Sequence, residues 1–154
     1  MLEIHDPNAE VFNMVREGDV LCITTNGTVK QNGACVMGRG IARQVRDNIP
    51  GIDLRLGDLL KKYGNRCFQL GWYFVGPYKV LFVSFPVKHN WNEIADITLI
   101  CKSCEELVQL ADKFGYKKVY LPAPGCGNGK LNYEVTVQPW ISALLDDRFI
   151  CVRR

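Results

Sequence analysis

The sequence lacks any apolar run near the ~20 residues that a membrane-spanning helix needs. Its longest apolar stretches lie around residues 80–83 and 119–121. The first residues, MLEIHDPNAEVF, have neither a basic start nor an apolar segment, so we expect no signal peptide. The seven cysteines are an odd number without the spacing of a disulfide framework. We therefore expect a reduced, cytoplasmic protein with no membrane contact.

A strong charge of either sign is also missing. The chain has 19 basic and 16 acidic residues, for a formal charge of +3. This balance does not indicate a nucleic-acid-binding protein, although nucleic acid stays open as a partner because a small basic patch can form locally. The candidate patch residues are Lys30, Arg39, Arg43, Arg46 and Lys88.

A metal site is not indicated either. Cys101 and Cys104 have the spacing of a metal or redox pair, but no second Cys/His pair completes a tetrahedral zinc set. Both lie on the apolar stripe of a predicted helix, where cysteine usually packs as a small hydrophobic residue. We expect no metal and no cofactor.

Strand-like and helix-like segments alternate along the chain. The predicted strands are residues 2–5, 19–25, 66–70, 72–75, 79–85, 117–121 and 148–152. The predicted helices are residues 9–17, 40–48, 53–63, 96–114 and 133–145, the last carrying Pro139. This order predicts an α/β protein with a largely parallel sheet and helices on both faces. We find no linker or repeat, so we expect one domain over residues 1–154.

Two glycine-rich loops each follow a predicted strand. The first, residues 26–40, runs into a predicted helix, and the second, residues 124–130, reads PGCGNGK. Ligands of such sheets bind beyond the carboxyl ends of the strands. Glycines let the backbone approach a ligand, and a helix start offers N–H groups to an anion. These loops predict a cradle for a diphosphate-bearing nucleotide; the alternative is that their glycines only satisfy turns.

Neither of the widespread phosphate-binding fingerprints matches the first loop. The P-loop pattern requires Lys and Ser or Thr where this chain has Arg39 and Gly40. The dinucleotide fingerprint needs a glycine where this chain has Arg43.

Five side chains are candidates for chemistry or for adenine binding. Lys88 follows the strand at residues 79–85 and can neutralise phosphate or form an imine with a sugar aldehyde, or it is a solvated surface lysine. His89 is a candidate general base, and Cys126 a nucleophile or a packing residue. Asp6 and Asp19 are candidates for binding an adenine amino group, with Asp6 preferred, or for capping a turn.

The ordered motifs TTN at residues 24–26, VMGRGIA at residues 36–42 and P-x-x-GCG at residues 122–127 resemble the macro domain family. The resemblance covers nearly the whole chain. The sequence is similar to the branch of this family that carries MG-x-GIA and FP-x-K-x-x-W motifs. This branch includes glycohydrolases that remove ADP-ribose from acidic side chains or from DNA. The resemblance implies a three-layer α/β/α sandwich around a mixed, mostly parallel six-stranded sheet.

The resemblance also implies a binding site for ADP-ribose. Asn26 matches the asparagine that contacts the distal ribose, and Lys88 matches the branch lysine that attacks or polarises that ribose. The remaining matches form the backbone cradle and the phosphate loop: Gly38, Arg39, Gly40, Ile41, Gly125, Cys126, Gly127, Asn128 and Gly129. We expect a monomer that binds ADP-ribose, an ADP-ribose derivative or an ADP-ribosylated substrate. We expect it to hydrolyse an ADP-ribosyl linkage to protein or nucleic acid, or a small ADP-ribose ester or phosphate; the alternative is an ADP-ribose- or nucleotide-binding module without catalysis.

One departure from the family bears on catalysis. Members that act on proteins carry an acidic residue shortly after Gly-Cys-Gly, where this chain has Asn128, Gly129 and Lys130. Members that act on DNA also lack this residue, so its absence disfavours a protein substrate.

Overall fold

The computed structural model describes all residues from 1 to 154. Six strands form one sheet in the order β1-β6-β5-β2-β4-β3. Their bounds are β1 Leu2–His5, β2 Val20–Thr25, β3 Gln69–Val75, β4 Tyr78–Pro86, β5 Val119–Pro122 and β6 Phe149–Arg153. All neighbouring pairs are parallel except β3 with β4. The sheet is therefore mixed and mostly parallel, which confirms the predicted fold class.

Four α-helices cover the sheet: α1 Gly40–Asn48, α2 Ile52–Tyr63, α3 Ile97–Phe114 and α4 Gln138–Leu144. Each strand residue turns to the opposite face from its neighbour, so Leu21 and Cys22 enter different cores. One core lies beneath α3 and α4 and contains Ile100 and Ile141, and the other lies beneath α1 and α2. The result is the expected three-layer sandwich. None of its helices combines the length and the apolarity needed to cross a membrane.

The predicted helix over residues 9–17 is wrong. Only a single 3₁₀ turn forms, at Val11–Asn13. The Asp19 carboxylate accepts a hydrogen bond from the Arg16 backbone N–H at 2.8 Å, and the Asp19 N–H bonds back to the Arg16 carbonyl. This tight turn diverts the chain into β2 before a second helical turn can form.

Two other elements differ from the sequence prediction. Residues 66–70 and 72–75 are not two strands: a single strand, β3, crosses Gly71 with a shift of register against β4. The predicted helix over residues 133–145 is divided into a π-helical turn at Tyr133–Val137 and α4. Pro139 lies in the first turn of α4, where its missing N–H costs no hydrogen bond.

Candidate functional site

Three loops meet where β4, β2 and β5 end side by side. The first loop (residues 26–40) follows β2, the middle segment (residues 87–96) follows β4, and the second loop (residues 124–130) follows β5. They surround a cleft of about 1180 Å³. Residues that follow β1 and the C-terminal residues of β6 complete its wall. The structure therefore brings both glycine loops and the middle segment to one site.

The first loop is held in place from within and from α2. The Asn26 side chain donates to the Val36 carbonyl at 2.9 Å and accepts from the Thr28 N–H at 3.0 Å. The Cys35 N–H donates to the Asp53 carbonyl on α2 at 2.9 Å. Asn26 lines the cleft, but both ends of its amide are already engaged in shaping the loop.

A row of unpaired backbone N–H groups lines the cleft on the side of the first loop. No N–H group from Gly38 to Ala42 donates a hydrogen bond within the protein. Helix α1 begins here without a side-chain cap and without an acidic residue in its first turn. A Cβ placed on Gly38 would meet nothing within 4 Å, so the backbone there is open to a ligand. Such a helix start favours an anion.

The second loop presents a matching row. None of the five N–H groups from Gly125 to Gly129 donates a hydrogen bond within the protein, although Gly125 and Gly129 are buried. The loop is fixed through its carbonyls instead: the Gly129 carbonyl accepts from the Ala95 N–H at 3.0 Å, and the Gly125 carbonyl accepts from Leu131 at 2.9 Å. Buried N–H groups need a partner, and a diphosphate supplies several acceptors.

The packing behind the second loop explains one of its glycines. A Cβ on Gly129 would stand 2.5 Å from the Gly125 carbonyl oxygen and 2.7 Å from the Ala95 Cβ. Glycine at this position is therefore required for the loop to close on the middle segment.

Lys88 lines the cleft without a carboxylate partner. Its Nζ makes one long hydrogen bond, 3.4 Å, to the Trp91 carbonyl. Burial lowers the pKa of Lys88, and the charges of Arg39 and Lys130 lower it further. The backbone around it is clamped, because the Asn65 side chain donates to the Lys88 carbonyl at 2.9 Å and the Gly27 N–H donates to the His89 carbonyl at 3.1 Å.

The charged side chains of the cleft are mostly basic. Five are basic and two are acidic: Arg39, Lys88, Lys130, Arg153, Arg154, Glu10 and Glu93. Arg153 pairs with Glu134 at 3.3 Å and Arg154 pairs with Glu10 at 3.2 Å. The cleft thus has a local excess of positive charge, suited to an anionic ligand, that the overall composition did not reveal.

Two candidates for catalysis are otherwise engaged. His89 does not line the cleft; its Nε2 lies 2.8 Å from Asp96 Oδ2. Cys126 lines the cleft, but burial raises the pKa of its thiol to about 11, so it is protonated at neutral pH. Of the spaced pair on α3, Cys104 is buried in the core and Cys101 is half-buried.

Neither aspartate candidate is among the residues that line the cleft. Asp6 follows β1, is exposed, and accepts from the Asn8 N–H at 2.9 Å in a local turn. Asp19 precedes β2, at the opposite end of the strand from the first loop. The acidic side chain that follows β1 and does line the cleft is Glu10, which no sequence signal singled out.

Asp96 couples the middle segment to helix α3. Its carboxylate caps α3 by accepting from the Thr98 N–H at 2.9 Å, and it also binds His89. The hydrogen bond from His89, then those from the backbone, hold the pKa of Asp96 below 3.8. The contribution of the Asp96 carboxylate to folding stability is therefore complete above pH 3.8, and it is lost as pH falls through the lowered pKa of the folded state.

Replacing Asp96 with Ala is expected to destabilise the fold by about 1 kcal/mol at neutral pH, the usual cost of a lost N-cap. In strong acid the wild-type carboxylate is protonated, so the difference between the two proteins should narrow. Thermal unfolding of the wild type and Asp96→Ala, from neutral pH to strong acid, measures this difference in stability. Asp96→Asn is the matched control because it keeps an acceptor for Thr98 without the charge. A difference that stays constant into strong acid would contradict the expectation.

The sequence of the chain is similar to those of known ADP-ribosyl glycohydrolases. It is 28% identical over 138 residues to a DNA ADP-ribosyl glycohydrolase of Mycobacterium bovis, covering 82% of this chain and 37% of that protein. It is 27% identical over 131 residues to a DNA ADP-ribosyl transferase–DNA ADP-ribosyl glycohydrolase fusion protein of Thermosipho africanus, covering 70% and 32%. The chain thus spans about a third of the length of these relatives. No model of a known protein family matches it.

Solved structures share the fold. The macrodomain of Mycobacterium tuberculosis DarG superposes with a TM-score of 0.73 at 22% identity, covering 98% of this chain and 97% of that one. Thermosipho africanus DarTG in complex with ADP-ribose gives 0.72 at 23% identity, covering 88% and 38%. The chain therefore has the macrodomain fold, and its sequence is similar to those of DNA ADP-ribosyl glycohydrolases.

Proposed function

We propose that the chain binds ADP-ribose in the cleft and hydrolyses an ADP-ribosyl linkage to nucleic acid. The observation that carries the proposal is that two backbone stretches with unpaired N–H groups, residues 38–42 and 125–129, line the same cleft. Together the two stretches offer ten backbone N–H donors without protein partners, which suits a ligand with several anionic oxygens. The excess of basic side chains in the same cleft adds to this.

The proposed catalytic group is Lys88. Its lowered pKa increases the fraction of neutral amine, the form that attacks carbon. The Lys88 amine would bond to C1″ of the distal ribose as the bond from C1″ to the acceptor breaks and the acceptor takes a proton. Water then releases ADP-ribose and restores the amine. The backbone rows hold the diphosphate, so binding and chemistry depend on different groups.

A nucleic-acid acceptor is favoured by three features. The relatives of known activity act on DNA, as their names state. Trp91 lines the cleft with 53% of its surface exposed, which offers a stacking face for a base at the mouth. The second loop also lacks the acidic residue that family members acting on proteins carry there.

Calorimetric titration tests binding. ADP-ribose is expected to bind at least about tenfold more tightly than AMP or NAD, a difference of about 1.4 kcal/mol, because only ADP-ribose presents a free distal ribose together with the diphosphate. AMP controls for adenosine and one phosphate, and NAD for a blocked distal ribose. ADP-ribose binding no tighter than AMP would contradict the proposed place of the distal ribose.

A further inference from the structure

Lys130 has a backbone conformation that sets it apart from every other side-chain-bearing residue. It is the only non-glycine residue with a positive φ, 64°. A Cβ is disfavoured in this left-handed region, where glycine is normally found. Such residues persist where the surrounding structure enforces them, often at functional sites.

The turn itself does not require a lysine. The Lys130 N–H closes the turn by donating to the Gly127 carbonyl at 3.1 Å, a bond that glycine makes equally well. Three residues of the same loop, at 125, 127 and 129, are glycines. The lysine side chain is therefore not needed for the shape of the loop and has another role.

The side chain of Lys130 is free and lies at the cleft. Lys130 lines the cleft, is exposed, and forms no ion pair. Its charge is close enough to lower the pKa of Lys88. It stands next to Gly129, the last of the five unpaired N–H groups of the second loop. A cation placed beside a row of N–H donors extends a phosphate site.

The structure assigns to Lys130 the binding of a substrate phosphate through its side chain, an assignment that rests on the proposed function. Two phosphates have the required chemistry: the diphosphate of ADP-ribose, and the backbone phosphate of the nucleic acid next to the modified base. Lys130 is thus a specificity-determining residue for the ligand rather than a part of the loop's framework.

Lys130→Gly separates a role in binding from a role in folding. Glycine accepts the left-handed conformation, so the melting temperature should equal or exceed that of the wild type. Binding should weaken about tenfold because one charge-assisted contact is lost. Lys130→Ala should lose the same affinity, and Lys130→Arg should keep most of it. Lys102→Ala, on the exposed face of α3, is the matched control for loss of a lysine outside the cleft.

The ligands are ADP-ribose and an ADP-ribosylated single-stranded oligonucleotide, each titrated at several salt concentrations. Equal weakening for both ligands assigns the diphosphate, and weakening for the oligonucleotide alone assigns its backbone phosphate. In either case the slope of log affinity against log salt concentration should become shallower by about one unit in Lys130→Gly, but not in Lys102→Ala.

Three results would overturn the assignment. The first is wild-type affinity of Lys130→Gly for both ligands. The second is weaker binding with an unchanged salt dependence, which would mean that the loop, not the charge, had been altered. If the wild-type protein itself bound neither ligand, the proposed function would fail and this assignment with it.

Discussion

Lys88→Ala is expected to slow hydrolysis of the ADP-ribosyl linkage by about 10²–10⁴-fold, the range for removing a group that acts directly on the reacting atoms. The dissociation constant for ADP-ribose should change by less than about tenfold, since the backbone N–H groups supply the diphosphate contacts. Single-turnover rates on an ADP-ribosylated oligonucleotide and calorimetric titration of ADP-ribose give the two numbers. Loss of turnover with retained binding identifies the chain as an enzyme.

Two controls distinguish a nucleophile from a simple charge. Lys88→Arg keeps the positive charge but offers no neutral amine, so it should be as inactive as Lys88→Ala if the amine attacks carbon. Lys79→Ala, at the exposed start of the same strand β4, should behave as the wild type. No turnover by the wild type on any ADP-ribosylated substrate would leave the non-catalytic binding module as the function.

The pH profile should carry the signature of the same lysine. Burial and the neighbouring charges of Arg39 and Lys130 lower the pKa of Lys88 from 10.5. Since the neutral amine is the active form, kcat/KM should rise with pH and level off above the lowered pKa. Removing the charge of Lys130 should move this rise to higher pH. A profile without a rising limb would exclude Lys88 as the nucleophile.

Gly57→Ala is expected to destabilise the protein by about 3 kcal/mol, the upper part of the range for overpacking a filled interior. Within an ordinary helix the same change stabilises by about 0.5–1 kcal/mol. The sign reverses here because a Cβ on Gly57 would collide with the Gly33 carbonyl oxygen and stand 3.0 Å from the Cys35 nitrogen. The first loop lies directly on α2 at this point, so ADP-ribose binding should weaken as the loop is displaced.

Urea unfolding and ADP-ribose titration of the same variant measure both effects. Asp58→Ala, at the next position of α2, removes only an exposed pair with Lys62 and should change stability by less than about 0.5 kcal/mol. Gly57→Ala with a midpoint at or above that of the wild type would show that the first loop does not depend on this contact.

Most of the fold could be predicted because its elements carry strong local signals. Helix α1 and strand β1 were predicted with their observed bounds. Near-continuous apolar runs marked β2 and β4, which are buried on both faces. The segment at residues 9–17 failed because its apolar spacing is helical, yet a side-chain contact from Asp19 ends it after one turn.

The candidate site was predictable where glycines mark it and not where distant residues support it. The sequence placed both glycine loops and Lys88 at strand ends, and the structure gathers them in one cleft. Asn65 and Gly57 had no comparable signal: one clamps the Lys88 carbonyl and the other lets the first loop lie against α2. Both contacts join segments more than twenty residues apart.

The alternation of strands and helices and the resemblance to the macro domain family could be predicted from the sequence, since each strand, helix and motif consists of residues close together in the chain. The binding groups of the glycine loops, by contrast, depend on how the whole chain folds. The tertiary structure showed ten N–H groups without partners, a surplus of cations in a chain of nearly balanced charge, and a lysine in a left-handed turn. Hydrogen-bond pairing and local charge depend on which segments the fold brings together, and sequence spacing does not record that.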